Sequence, residues 1–269
     1  MALEPPSPAP LDFLLRVALS YASLLHTPSA HPETGLGGKL FYAGELDEAG
    51  RAILVAANIA GAATLAATAD RTAQKQALRE GVADFVVNNL DEALRILKNQ
   101  LRKRETVSVC VALPPSDVEQ EMNERGVSPD LSRSDVPVAP SHEAFVQNLE
   151  TRIVQQNALQ NSSFSKIPAI VTWRVDSALP KDLARLDEIA LACLEPEDWK
   201  SRRWLHLSPR YLGRMAQGFR LLDSDGEFAA HFIDRIRQFA EHGEITYTVE
   251  IVSYIRGQHD EFRFAPTNP

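Results

Sequence analysis

Between residues 44 and 50 the chain reads Gly44-Glu45-Leu46-Asp47-Glu48-Ala49-Gly50, two glycines enclosing three carboxylates. The glycines point to phosphate chemistry, because a residue without Cβ lets backbone N–H groups approach a pyrophosphate closely. The carboxylates point the other way. At an effective dielectric of about 20, a carboxylate about 5 Å from a phosphate charge is repelled by roughly 3 kcal/mol. Two or three such pairs offset a micromolar affinity, which is worth about 8 kcal/mol. Turned into water, each acid costs less than about 1 kcal/mol. Asp47 and Glu48 also have a structural use, since acids in the first turn of a helix complement its dipole.

The flanking residues say which elements hold this loop. Lys39-Leu40-Phe41-Tyr42-Ala43 is a short apolar run that predicts a buried strand ending at Gly44. Ala52 to Ala60 is Ala-rich and predicts a helix that Gly61 stops; Ala62 to Ala69 predicts a second buried strand. Strand, turn, helix and strand in this order form the opening βαβ unit of a dinucleotide-binding fold.

The alternation continues. Thr72 to Glu80 predicts a helix, Asp84 to Val87 a strand, Asp91 onward a helix with Leu94, Leu97 and Leu101 on one face, and Thr106 to Leu113 a β-branched strand. Pro114-Pro115-Ser116 opens a further helix closed by Gly126, and Ser132 to Pro137 reads as a polar loop. The implied fold is α/β, a Rossmann-like doubly wound parallel sheet with helices on both faces, joined to a smaller mixed α/β lobe. Residues 1–37 read as a Pro-rich extended arm through Pro10 and a helix over Asp12 to Leu25, 38–140 as the Rossmann-like domain, and 141–269 as the lobe. In the lobe, His142 to Gln160 predicts a helix, Asn161 to Ser165 a loop, Ile167 to Trp173 a strand and Pro180 to Leu194 a helix. Glu195 to Gly218 reads as mostly helical, Phe219 to Leu222 as a strand, Asp225 to Glu241 as a helix and Ile245 to Ile255 as a closing strand.

Composition narrows the function classes. Lys+Arg 28 against Asp+Glu 36 gives a net charge of −8, which argues against nucleic acid and anionic membrane surfaces as partners. The first residues lack the basic region of a signal peptide, and no run of about 18 apolar residues occurs. These features predict a soluble, cytoplasmic protein. Cys110 and Cys193 lie in apolar segments as buried thiols, and neither they nor the seven histidines have metal-ligand spacing, so no metal site is read. Lys98, Arg102, Lys103 and Arg104 end a helix and complement its dipole. Asp187-Glu188 and Glu195, Glu197 and Asp198 read as solvated faces, with Arg202 and Arg203 pairing to Glu197 or Asp198. No G-x-S-x-G elbow for a nucleophilic serine is present.

The order of segments from about Ala18 onward resembles the urocanase (urocanate hydratase) family. Gly38-Lys39-Leu40-Phe41 with Gly44 and Gly50 resembles its GKL strand and cofactor loop, and Leu90-Asp91-Glu92-Ala93-Leu94 its LDEAL helix start. Arg125-Gly126-Val127-Ser128-Pro129-Asp130 matches its RGV-x-PD turn. Ser134-Asp135 stands where the family reads T-D-Q-T. Thr172-Trp173, Pro180 to Asp187, Arg203-Trp204-Leu205 and Gln217-Gly218 follow in the family's order.

The resemblance implies a homodimer that holds NAD⁺ tightly and uses it as an electrophile towards an imidazole while water adds. Carried over residue by residue, the cofactor contacts fall on Gly44, Gly50, Thr68, Asp70, Ser134 and Asp135. Thr68 stands at the ribose position that is acidic in the family. Asp70 lies two residues on, where a strand repeats its facing. Val136 replaces a glutamine. The family's glycine-rich loop has become the acidic loop above, and its catalytic groups lie in flanking segments without a counterpart here.

The leading expectation is a urocanase-like protein that keeps the scaffold, has lost NAD and catalysis, and acts as a binding or structural module for a partner, a dimer mate, or a small-molecule or nucleotide ligand. The alternative is an active NAD-dependent hydratase, a carbon–oxygen lyase in histidine catabolism, using Asp70 with Gly44 and Gly50. A nicotinamide-dependent oxidoreductase is a third reading, on fold analogy alone, and no Tyr-x-x-x-Lys pair supports it.

Overall fold

The computed structural model describes residues 8–137, 168–177, 179–213, 218–255 and 258–266. The chain divides into two compact units. One holds the described residues of 16–139 together with 207–213; the other holds those before 16, 168–206 and 218–266.

The first unit is built on strands β1 (Leu40–Glu45), β2 (Ala63–Ala67), β3 (Phe85–Val87), β4 (Ser108–Val111) and β5 (Leu131–Ser132). All pairings are parallel and the order is β3-β4-β2-β1-β5. Helices α2 (Glu48–Ala60), α3 (Arg71–Glu80), α4 (Leu90–Lys103) and α5 (Pro115–Glu124) connect them in sequence. The steps from β1 to β2 and β2 to β3 run one way across the sheet, and those from β3 to β4 and β4 to β5 run back. Right-handed crossovers therefore put α2 and α3 on one face and α4 and α5 on the other.

The core follows this division. Leu40, Tyr42, Leu65, Val109 and Val111 pack with Leu90, Leu97, Val118 and Met122 on the α4/α5 face. On the opposite face Asn58 of α2 bonds the hydroxyls of Ser108 and Thr64, at 2.5 and 3.1 Å, so this buried polar cluster is satisfied internally. β4 lies between β3 and β2, a departure from the usual dinucleotide-fold order, in which β3 adjoins β2.

Several boundaries differ from the sequence reading. Helix α1 runs Pro8–Leu25, so Pro8 and Pro10 belong to a first helical turn, where a missing N–H costs nothing, and not to an extended arm. Helix α2 begins at Glu48, four residues earlier than Ala52, because Asp47 caps it. Ser132, read as loop, ends a two-residue strand that adds an edge beside β1, and Arg133–Asp135 form a 3₁₀ turn after it. The predicted helix at 142–160 and loop at 161–165 lie outside the described residues.

The second unit contains an antiparallel sheet of β6 (Pro168–Asp176), β7 (Phe219–Asp225), β8 (Thr248–Ile255) and β9 (Gln258–Phe264), in the order β7-β6-β8-β9. Helices α6 (Pro180–Cys193), α7 (Trp199–Leu212) and α8 (Gly226–Glu241) accompany it, residues 207–212 of α7 counting with the first unit. β8 does not close the sheet as predicted; β9 pairs with it along its length from Val249 to Ile255. Trp173 of β6 packs against Phe232 of α8 with ring centroids 5.0 Å apart. Its indole N–H donates to Asp187, whose carboxylate also meets Arg220 at 2.9 Å. Asp187 is thus buried and paired rather than on a solvated face, and burial pushes its carboxyl up against the opposing pull of Arg220. Arg202 does not pair with the nearby acids; it donates to the carbonyls of Leu191 and Leu194 at 3.0 and 3.4 Å. Cys193 is only half-buried, whereas Cys110 is fully buried in β4.

Candidate functional site

In the first unit, α2 leaves β1 on one face of the sheet while α5 reaches β5 on the other. The crevice between the carboxyl ends of β1 and β5 lies on the edge of the sheet where open α/β folds bind their ligands. The loop Gly44–Gly50 forms one wall of it and the turn Ser132–Val136 the other.

Gly44 sits at φ +69°, beside a bulge in the β1/β2 register. The left-handed conformation suits glycine and turns the chain sharply from strand to helix. Gly50 is required for a different reason. A Cβ there would overlap the carbonyl oxygen of Glu45, so glycine lets α2 start directly against the end of β1. This is the close helix–strand approach that a dinucleotide loop needs.

One of the donors at the start of α2 is already engaged. Asp47 is the N-cap, and its Oδ1 accepts from the Gly50 N–H at 2.6 Å. Arg133, on the facing turn, grips the same carboxylate with both terminal nitrogens at 3.0 and 3.2 Å. Glu45 and Glu48 are both exposed; Glu45 Oε1 accepts from the Leu46 N–H and Glu48 lies 3.6 Å from Arg16. Of the three acids in the loop, one lies on the helix N-terminus and two face water. Arg133 had no signal in the sequence, because its partner is 86 residues away.

The remaining carried-over residues are committed to local structure. Asp70 caps α3, accepting from the Thr72 N–H at 2.7 Å, and it is exposed. Thr68 is buried; its hydroxyl accepts from the Asp70 N–H at 3.2 Å and its carbonyl takes the Gln74 amide at 2.9 Å. Asp135 closes a capping box with Ser132, accepting from its N–H at 2.7 Å and its hydroxyl at 2.8 Å. Ser134 is exposed, with its hydroxyl 2.7 Å from that of Ser132. The structure brings Gly44, Gly50, Ser134 and Asp135 to one crevice, while Thr68 and Asp70 sit where β2 turns into α3. Val136 is buried and walls a cavity of about 60 Å³ with Arg16, Ala49, Ile53 and Arg133. This space is far smaller than the several hundred Å³ of a cofactor pocket.

The sequence motifs resolve into paired contacts. Lys39 of the GKL run meets Asp130 of the RGV-x-PD turn at 3.0 Å, and Asp130 also accepts from the Leu40 N–H at 2.9 Å. Asp91 of the LDEAL run pairs with Arg125 of the same turn, which holds the Asp91 carboxyl below the usual carboxylate range. These motifs fasten β1 to the approach of β5 and α4 to the end of α5.

The family model of the urocanase Rossmann-like domain matches residues 19–156, just over half of the chain. The chain belongs to the urocanase family. The matched residues include all five parallel strands and the crevice. The urocanase resemblance of the GKL, LDEAL and RGV-x-PD segments thus has a physical basis in the contacts that hold this sheet together. Among the described residues, no group of three or more His, Cys, Asp and Glu side chains could hold a metal ion. None of the described helices is long and apolar enough to cross a membrane.

Proposed function

We propose that this urocanase-family chain is a catalytically degenerate relative that serves as a binding or structural module and does not hold NAD⁺. The reading is carried by Asp47: its carboxylate, gripped by Arg133, lies where a pyrophosphate would meet the start of α2. To admit a phosphate, the Asp47 side chain must leave its cap, which costs about 1 kcal/mol. Left in place, it occupies the helix N-terminus that a phosphate would use and opposes a phosphate charge by at most roughly 3 kcal/mol, reduced by the paired Arg133. Displacing the acid moves a micromolar site to about 10 µM, and leaving it in place weakens the site further. The exposed Glu45 and Glu48 add little. Asp70, the substitute for the ribose acid, is engaged in capping α3. A homodimer is part of the same proposal, by analogy with the family.

Calorimetric titration of NAD⁺ into the full chain tests it. A dissociation constant weaker than about 100 µM is expected, and one below about 10 µM overturns the reading. Mixing the protein with urocanate gives no loss of absorbance under this proposal; turnover, reduced in Asp70→Ala, would establish the hydratase instead. Native mass spectrometry of the freshly purified protein reads the subunit count and any retained nucleotide together.

A further inference from the structure

Among the described residues the two sheets have four outer strands, β3, β5, β7 and β9, and three of them are blunted. β5 is two residues long. In β7 the Leu221 carbonyl is taken by the indole N–H of Trp204 at 2.6 Å. β9 exposes His259, Asp260, Glu261 and Arg263, the kind of charged edge that discourages pairing. β3 is also short, at three residues, but it carries no charged side chain. It reads Phe85-Val86-Val87, pairs only with β4, and leaves Phe85 47 % exposed.

The helices beside it are strongly basic. The crossover into β3 is α3 and the crossover out of it is α4, so the two lie on opposite faces of the sheet next to this edge. Helix α3 buries only Ala77 and exposes Arg71, Lys75 and Arg79 at four-residue spacing, with Leu78 among them. Helix α4 exposes Arg95, Lys98 and Arg102. None of these six cations closes an ion pair among the described residues, and Arg95 and Lys98 act on Asp91 only at longer range. The acids of these helices are partly spent: Glu80 is paired with Arg51 and Asp91 with Arg125. A chain of net charge −8 therefore carries an apolar strand edge between two basic helix faces.

We propose that the β3 edge is an interaction surface that takes an extended, acidic segment of a partner protein as an added strand. An open strand supplies backbone donors and acceptors. Phe85 and Val87 on the α4 side and Val86 on the α3 side fit apolar side chains of the incoming segment. The flanking cations fit its acids. A second copy of this chain is disfavoured, because a two-fold axis perpendicular to the sheet at β3 would set α3 against α3 and α4 against α4 with like charges facing. The inference holds whether or not the crevice at β1 and β5 accepts a dinucleotide, since β4 and β2 separate β3 from β1.

The test uses the full chain and a fluorescein-labelled peptide of about eight residues alternating Glu and Val, followed by anisotropy. Binding is expected to weaken about ten-fold between about 50 and 500 mM salt, as screening predicts. It is expected to be lost at least about ten-fold in Lys75→Glu/Arg79→Glu, whose exposed positions leave folding intact. Phe85→Glu, at a half-exposed site, gives a similar loss, and amide exchange slows at residues 85–87 in the bound state. Equal binding of a Lys/Val peptide, or an unaltered affinity in the charge-reversed variant, overturns the proposal. So does a single-stranded oligonucleotide that displaces the peptide from the same edge at lower concentration.

Discussion

Asp47 does two jobs whose energies differ. As N-cap it accepts the Gly50 N–H, and as an ion-pair partner it holds Arg133. The pair is substantially exposed on both sides, so its share is at most about 1 kcal/mol. The cap is worth about 1 kcal/mol. Asp47→Ala is therefore expected to lose about 1–2 kcal/mol in urea denaturation. Asp47→Ser, which caps without charge, recovers most of that, and an equal loss in both variants would assign the stability to the ion pair. Cys110 makes a second prediction at this scale. Burial pushes its thiol up to about 12, above the ordinary value of about 8.5. The folded state thus resists deprotonation that the unfolded chain permits. Stability from this group is complete below about pH 8.5 and is lost as the pH rises towards about 12, by up to about 1.4 kcal/mol per pH unit. Cys110→Ala, at a constant cavity cost, is expected to flatten the alkaline fall in stability between about pH 9 and 10.5 relative to the parent chain. Parallel curves would show that the thiol is not held neutral.

Among elements, the buried contact of β6, α6 and β7 is the sharpest case. Asp187 on α6 binds the Trp173 indole and Arg220, and both members of the ion pair are nearly inaccessible. Removing one partner leaves a buried charge, which costs about 3–5 kcal/mol, whereas an apolar replacement of both is close to neutral. Asp187→Ala is thus expected to destabilise by about 3 kcal/mol and Asp187→Leu/Arg220→Met by much less, as read from denaturation of the double-mutant cycle. A double variant as weak as the single one would mean that the pair itself supplies net stability.

The same elements show what a sequence can reveal. Apolar runs, periodicity and glycine punctuation located β1 to β4 and the helices between them, because the central strands are buried on both faces and α2 and α4 each bury a regular stripe. Strand β5 was hidden because two residues make no pattern, and β9 because Gln258-His259-Asp260-Glu261 is a polar run, exposed on both faces over residues 259–261, with no alternation to read. The buried role of Asp187 was hidden because Arg220 lies on another element. The crevice was legible through Gly44 and Gly50, whose conformational demands are local. Its plug by Arg133 was not, since an ion pair across 86 residues leaves no local trace.

At the scale of the molecule, the first unit is nearly continuous in sequence, but not entirely. Residues 207–213 at the end of α7 belong to it, although the strands lie between residues 40 and 132. Leu212 is buried there, and a Cβ at Gly213 would sit 3.7 Å from the carbonyl oxygen of Glu80, at the end of α3. Helix α3 is otherwise held lightly, since it fully buries only Ala77 and its other ties are Gln74 to the Thr68 carbonyl and Glu80 to Arg51. The sheet, by contrast, is filled from both faces by α2, α4 and α5. A fragment of residues 16–139 should therefore fold around β1, β2 and β4 while α3 loosens. Amide exchange is the appropriate measurement, because local opening appears there before it alters global unfolding. Protection across residues 71–80 is expected to fall at least about ten-fold relative to the full chain, with β1, β2 and β4 unchanged to within about three-fold. If α3 kept its protection, residues 207–213 would be dispensable to the unit. If the whole fragment lost protection together, the segment would instead be part of the cooperative core, and the integrity of the parallel sheet would depend on residues drawn from the far end of the chain.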